Sequence, residues 1–442
     1  MEAFMSENTL RVPVWIHRTL VPLILLAVTP PAVFVFWYVN TALKGSFQAF
    51  IEICLQNGFF ATLFKIWIPL ALGSKEAWTI IAVFAAFELL LMKLVPGKPA
   101  YGPVTPKGNT PVYRANGPAC FAITLLAYFL CAYPLNLFSP SILFDQLGPL
   151  LGALNVSALG LCLFLYFKGI FKPSSSDSGV TGNPIFDYYW GTELYPRIFG
   201  WDVKQFTNCR FGMMLWPILL LSYAAKQHEL FGLSDSMTIA VLLQLFYVGK
   251  FFFWETGYLR SLDIMHDRAG FMICWGCLVW VPCIYTSATL YLVYHPNHLG
   301  MPLASLIFAL GTLSVGINYL ADRQRQMVRA KKGDCLVWGK KPHLIQANYM
   351  TLGGEKKESI LLASGWWGLA RHFHYIPELL ATFFWTVPAL FVNFSPYFYL
   401  LFLTCLLLDR AWRHDKRCLD KYGPYWEEYC QKVPYKLIPF IY

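Results

Sequence analysis

Ten apolar runs, most of them close to the length of a bilayer crossing, constrain this chain more than any motif does. They are Leu20–Val39, Ala77–Val95, Ala119–Phe138, Leu147–Phe167, Phe211–Ala225, Thr238–Trp254, Phe271–Val293, Pro302–Leu320, Ile376–Phe394 and Pro396–Leu408. A helix needs ~20 mostly apolar residues to cross the hydrocarbon core. Of the 442 residues, 57% are hydrophobic and only 14% charged, against about 45–50% and about 25% in soluble domains. A soluble enzyme, a disordered chain and a secreted disulfide scaffold are excluded on these grounds. The expectation is an all-α, polytopic integral membrane protein with about ten transmembrane helices. Lys65 interrupts an eleventh stretch, Phe59–Leu72, which leaves a tilted span, a re-entrant segment and an interfacial helix all open. Pro30, Pro31, Pro217, Pro282 and Pro388 lie inside runs and predict kinks, which membrane helices tolerate. Met1–Arg18 is too weakly apolar for a cleavable signal, so it is expected to be a short tail before an uncleaved anchor.

With so little charge in the spans, the net +10 must reside in the connections. A positive-inside bias accounts for it plainly, and a polyanionic ligand accounts for it more sharply. Nucleic acid is not expected, because no basic tail or known binding motif is present. The twelve cysteines make no metal framework. Cys274-Trp-Gly-Cys277 lies in an apolar run and reads as two small buried residues rather than a redox pair. Asn155-Val-Ser157 matches a glycosylation acceptor but falls within a span.

Four polar stretches can carry chemistry. In Asp322–Lys332, Arg325 and Arg329 fall one helical turn apart, with Lys332 on the same face. Arginine suits phosphate, although a basic connection obeying the positive-inside rule has the same look. Arg410, Arg413, Arg417 and Lys421 repeat the spacing, with His414, Asp415 and Tyr422 beside them, until Gly423-Pro424 breaks the helix. A lipid-headgroup patch is the alternative there. Ser364–Tyr375 pairs glycines and tryptophans with Arg371, His372, His374 and Tyr375, a polar density that is expensive beside a span. Trp254–Arg268 offers Glu255, Asp263, His266 and Asp267 as general acids, or as ion-pair partners of Arg260 and Arg268. No G-x-G-x-x-G follows a strand and no Walker A motif occurs, so a Rossmann site is unsupported.

These stretches carry a resemblance. Glu255-Thr-Gly-Tyr-Leu-Arg-Ser-Leu-Asp-Ile-Met-His-Asp-Arg-Ala-Gly-Phe271, Trp275-Gly-Cys-Leu-Val-Trp-Val-Pro282, Tyr291-Leu-Val-Tyr-His-Pro296, Gly365-Trp-Trp-Gly-Leu-Ala-Arg-His372 and the Lys421–Pro439 segment are similar to the integral-membrane sterol reductases that act on the sterol C14 or C7 double bond. Phe206-Thr-Asn-Cys-Arg-Phe-Gly-Met213 resembles the C7 branch, and Asp267–Phe271 with His374-Tyr-Ile-Pro-Glu378 resembles its plant members. The resemblance implies a single membrane domain over 19–442, with NADPH as cofactor and a sterol 5,7-diene as substrate. The cofactor pocket would lie toward the C-terminus, mostly within 321–442. It would be built from Arg325, Arg329, Leu362, Trp367, His374, Tyr375, Arg410, His414, Cys418, Leu419, Asp420, Lys421, Tyr422 and Tyr429. His414 departs from the family, which usually has Asp there. Either Asp415 substitutes for that carboxylate or His414 itself meets phosphate.

The resemblance also implies a reaction order. An isolated alkene does not accept hydride, so protonation must come first or together with it. Protonating C8 of a 5,7-diene leaves an allylic cation at C7, which aromatic side chains tolerate. Tyr422 or Tyr429, helped by Lys421, or else Glu255 or Asp263, would supply the proton. The alternatives are C14 reduction, a non-catalytic sterol-binding protein on the same fold, and, more remotely, an isoprenylcysteine-type methyltransferase suggested by Glu427-Glu428. Membrane lipid surrounds the chain in every case. The compartment is the endoplasmic reticulum for a eukaryotic source and the inner membrane for a bacterial one.

Overall fold

A computed structural model describes residues 13–105, 107–350 and 356–441. It is mostly helical, with three two-stranded antiparallel hairpins. Six helices are long and apolar enough to cross a membrane: Ile16–Thr41, Lys75–Leu94, Leu147–Phe171, Asp235–Phe253, Phe271–Leu292 and Met301–Ala330. The stretch that Lys65 interrupts is half of a broken pair, Phe47–Asn57 and Phe59–Leu70, bent by 113°, which would make a seventh if counted as one span. Gly58 makes the corner at φ 84°, a conformation that favours glycine. Helix starts follow local chemistry: the hydroxyls of Ser46, Ser74 and Ser234 each accept a first-turn backbone N–H.

Two compact units result, Leu10–Gly300 with Pro388–Phe398, and Met301–Val387 with Tyr399–Tyr442. In the larger unit, connections gather at two ends. At one end Ser74 Oγ donates to Gln146 Oε1 (3.0 Å), Lys226 pairs with Asp145 (2.8 Å), and Asp235 accepts the N–H groups of Leu299 and Gly300. At the other, the connections 95–116, 172–212 and 254–270 fold onto one another. Tyr113, Leu194, Tyr195, Leu259 and Ile264 form their shared core. Arg197 Nη2 donates to Val112 O (2.7 Å), and Lys204 Nζ to Ile264 O (2.7 Å).

Several sequence expectations meet their geometry here. Pro30, Pro31 and Pro217 sit inside helices, whereas Pro388 ends one in a 3-10 turn. Pro282 lies in Phe271–Tyr285, which is wound as a π-helix. Cys274 and Cys277 are free and buried. Asn155 is buried, with its Oδ1 accepting the Trp275 indole N–H (2.8 Å). Glu255 pairs with neither Arg260 nor Arg268. Its partner is Arg210 at 2.6 Å, and both side chains are almost fully buried. Arg268 instead donates to Gly179 O, and Arg260 is exposed.

Candidate active site

In the smaller unit, helix Met301–Ala330 brings the first arginines to the site. Its helical register sets Arg325 and Arg329 one turn apart, as the sequence predicts. The Arg325 guanidinium lies 3.9 Å from the centre of the Trp367 ring, where the cation meets the negative ring face. Trp367 is fixed at both ends: its indole N–H donates to Ala321 O (2.8 Å), and its carbonyl accepts the Tyr429 hydroxyl (3.1 Å). Just before it, Gly365 holds φ +62°, and a Cβ there would meet Gln324 Oε1 at 2.3 Å. That glycine lets the Trp366 N–H reach Gln324 Oε1 (2.9 Å), which ties the aromatic turn to the basic helix.

The basic segment after the helix folds into a hairpin, Leu344–Met350 with Lys356–Leu362. Leu362 ends it, buried against Val328, Val337 and Trp367. Helix Phe398–Tyr422 packs its face onto this hairpin. Cys418 and Tyr422, one turn apart, are buried with Ile345, Ala347, Leu361, Trp426 and Tyr429. The intervening Leu419 and Asp420 are exposed, because a helix cannot turn adjacent residues to one face. Gly423 stops the helix at φ +52°, and Pro424 starts the next one, as the sequence predicts. Tyr422 Oη donates to Ser359 Oγ (3.3 Å), and Lys421 Nζ lies 4.9 Å from the Tyr422 ring centre and 4.1 Å from that of Tyr349.

A polar lock joins these parts. Asp415 accepts from His372 Nε2 (3.0 Å) and from Arg371 Nη2 (3.2 Å), and Lys436 stands at 3.5 Å. Burial alone would raise the Asp415 carboxyl, but His372 and Arg371 hold it below the ordinary range. Burial, His372 and Arg325 hold the His414 imidazole well below the usual histidine range, so it is neutral at neutral pH. Its ring meets His372 edge to face at 5.1 Å and packs near Cys418 Sγ. His372, His414 and Asp415 bring their ligand atoms within 4.8 Å of one another. Arg371 and Lys436 already flank that carboxylate, and the Arg325 charge acts on both imidazoles, so the surplus positive charge opposes a metal ion there. Burial also pushes the Tyr429 phenol upward.

Trp367, His374 and Tyr375 pack ring against ring in tilted pairs, at 4.9 and 4.2 Å between ring centres, and Asn318 Nδ2 donates to His374 O (2.8 Å). Arg410 is half-buried on the same helix as His414, and Lys421 is exposed. Arg371 Nε is buried with no hydrogen-bond partner among the described residues. An aromatic wall, several cations and an orphaned guanidinium N–H suit a phosphate-bearing dinucleotide. Glu255 and Asp263 belong to the larger unit. Sequence reasoning did not single out Ser359, Gln324 or Lys436, because each joins the site only through a contact with a different element of the fold.

Residues 23–442 match the model of the "Ergosterol biosynthesis ERG4/ERG24 family". The chain is 53% identical over 420 residues to a 7-dehydrocholesterol reductase of Arabidopsis thaliana, covering 95% of this chain and 96% of the relative. A Danio rerio 7-dehydrocholesterol reductase is 37% identical, with 88% and 84% covered. A Delta(14)-sterol reductase of Methylotuvimicrobium alcaliphilum is 35% identical, with 95% and 94% covered.

Proposed function

The chain belongs to the ergosterol biosynthesis ERG4/ERG24 family, and from that premise we propose that it reduces the C7–C8 double bond of a sterol 5,7-diene. The observation that carries the C7 reading is identity. The match to the plant 7-dehydrocholesterol reductase spans nearly both chains and stands well above the match to the Delta(14)-sterol reductase. Expression in yeast, which accumulates a 5,7-diene sterol, tests it. Sterol mass analysis is expected to show loss of the C7 double bond. An unchanged 5,7-diene, or loss of a C14 double bond in its place, removes the reading.

The cofactor is a reduced nicotinamide dinucleotide, which supplies the hydride, and we assign NADPH. Arg325, Arg329, Arg410, His414 and Lys421 offer donors to its phosphates and sugars, and Leu362, Cys418 and Tyr429 back the site. Trp367, His374 and Tyr375 offer aromatic faces. With Asp415 committed to His372 and Arg371, His414 rather than Asp415 meets the cofactor. If Arg329 holds the 2′-phosphate, Arg329→Ala raises the KM for NADPH about ten- to hundredfold, the worth of a charged hydrogen bond. The KM for NADH and kcat then stay nearly unchanged. Steady-state kinetics with both cofactors checks this, and an equal loss with NADH sinks the phosphate role.

The chain's own task is the proton. Tyr422 is the donor to C8 in this reading, because its hydroxyl rests on another hydroxyl, Ser359 Oγ, which can return a proton. Tyr429 gives its proton to a backbone carbonyl and is spent on holding Trp367. The Lys421 ammonium stabilises the charge left on Tyr422 Oη.

We propose ten crossings of the membrane. The six long helices are joined by Gly117–Ala132, Met213–Phe231, Tyr375–Thr386 and the apolar first half of Phe398–Tyr422, with the bent pair re-entrant. In the larger unit the end built from 95–116, 172–212 and 254–270 holds Lys98, Lys107, Arg114, Lys172, Arg197, Lys204, Arg210, Arg260 and Arg268. The connections of the opposite end, 42–46, 71–74, 133–146, 232–234 and 293–300, hold only Lys44. The positive-inside rule puts the basic end in the cytoplasm, in the endoplasmic reticulum membrane of a eukaryote or the inner membrane of a bacterium.

A further inference from the structure

In the larger unit, which holds none of the residues assigned to the cofactor, a cleft of about 590 Å³ opens beside the C-terminal end of helix Lys75–Leu94. Lys93, Arg114 and Arg197 line it, and no carboxylate forms an ion pair with any of them among the described residues. Two of these cations are held in place by backbone. Arg197 Nη2 donates to Val112 O (2.7 Å), and Arg114 Nη1 donates to Lys93 O. A guanidinium has five donors, so each keeps further N–H groups for a ligand. The floor carries polar atoms that none of the described residues satisfies. The Tyr113 hydroxyl and Asp202 Oδ2 are buried without hydrogen-bond partners, and both residues line the cleft. A buried polar group left unpaired is costly and calls for an occupant. Burial pushes the Asp202 carboxyl upward, which lowers the cost of bringing an anion beside it.

The rim carries a second, independent oddity. Hairpin Arg197–Ile198 with Trp201–Asp202 turns through Phe199 (φ 49°) and Gly200 (φ 86°). Such a turn favours Asn-Gly, because both positions need positive φ. This chain puts a phenylalanine there, with 90% of its surface exposed. Beside it Trp201 lies under the Lys93 ammonium (4.7 Å), and the outward-facing Leu90 and Leu94 belong to the last turns of a membrane-length helix. A strained backbone spent on presenting an aromatic ring outward makes sense at the depth where headgroups meet acyl chains.

We propose that this cleft binds one anionic phospholipid, with its phosphate among Lys93, Arg114 and Arg197 and its glycerol and upper acyl chain against Phe199 and the end of helix Lys75–Leu94. Phosphate chemistry fits the charge, and the apolar rim at the end of a span selects a lipid over a soluble phosphate ester. An anionic lipid here would brace the junction of the three basic connections.

The full chain in nanodiscs of phosphatidylcholine, with or without phosphatidylserine, tests this by native mass spectrometry after gentle extraction. The wild type is expected to retain one phosphatidylserine in preference to phosphatidylcholine. Arg114→Gln with Arg197→Gln is expected to weaken retention roughly thirtyfold, at the usual worth of a juxtamembrane cation. Phe199→Asn suits the turn better than the native residue, so a loss of retention in that variant comes from the missing ring and not from unfolding. Free glycerol phosphate is added as competitor and is expected to displace nothing. Equal retention of the two lipids, full retention in the double variant or in Phe199→Asn, or displacement by glycerol phosphate each overturns the proposal.

Discussion

Replacing Tyr422 by Phe is expected to lower turnover about 10²- to 10⁴-fold, the usual worth of a positioned general acid, while the sterol and the cofactor still bind. Hydride reaches C7 only as positive charge develops there, so a donor must give up a proton to C8. Tyr422 is buried, lies one turn from Cys418 on the inner face of its helix, and has Lys421 beside its ring. Removing one oxygen leaves the ring packing against Tyr349 and Trp426 in place, so the fold loses only the bond to Ser359. Tyr429→Phe is the control. It frees Trp367 O and loosens the wall beneath Arg325, so it should act mainly on cofactor KM. Measured turnover within a few-fold of wild type in Tyr422→Phe removes it as the donor. Loss of cofactor binding in the same variant recasts it as a binding residue.

How much of this was legible beforehand differs by element and for physical reasons. Helical period alone placed Arg325 and Arg329 together, and local backbone chemistry placed the break at Gly423-Pro424, because both depend only on near neighbours in the chain. Composition likewise announced the membrane. It did not announce the 113° bend between Phe47–Asn57 and Phe59–Leu70, since an apolar run reads the same whether it crosses or turns back. The segment around residues 344–362 read only as basic, and its hairpin, which brings Ser359 to Tyr422, has charged residues that blur the alternation of a strand. In the stretch Cys418–Tyr422 a motif names five residues, whereas helical geometry turns only Cys418 and Tyr422 inward. Asp415 was legible as a carboxylate near the site, but its commitment to His372, Arg371 and Lys436 needed three contacts from outside its own helix.

Glu255 shows the same limit most sharply, and it carries the second large effect. In sequence it stands among acids and reads equally as a proton donor. In the fold its Oε1 lies 2.6 Å from Arg210 Nη1, and its Oε2 accepts the Gly117 N–H (2.8 Å) at the start of helix Gly117–Ala132. Arg210 also donates to Asn116 Oδ1, and Asn116 Nδ2 in turn donates to Val95 O (2.9 Å) just past helix Lys75–Leu94. One buried pair therefore ties the ends of three helices. Removing one member of such a pair leaves an uncompensated buried charge, at a cost of about 3–5 kcal/mol. Glu255→Ala is expected to lose that much stability, with the orphaned Gly117 N–H adding to it. Glu255→Gln keeps an acceptor for Gly117 but still strands Arg210, so it should be nearly as damaging. The measurement is thermal unfolding of the purified protein in detergent, paired with activity per folded molecule. A structural pair predicts a large fall in Tm with turnover of the surviving fraction within a few-fold of wild type. An unchanged Tm with turnover down a thousandfold or more would instead make Glu255 the acid, and Tyr422→Phe would then be nearly silent. The two substitutions thus answer one question from opposite sides, because the reaction has a single proton to place at C8 and only the group that gives it is indispensable to turnover.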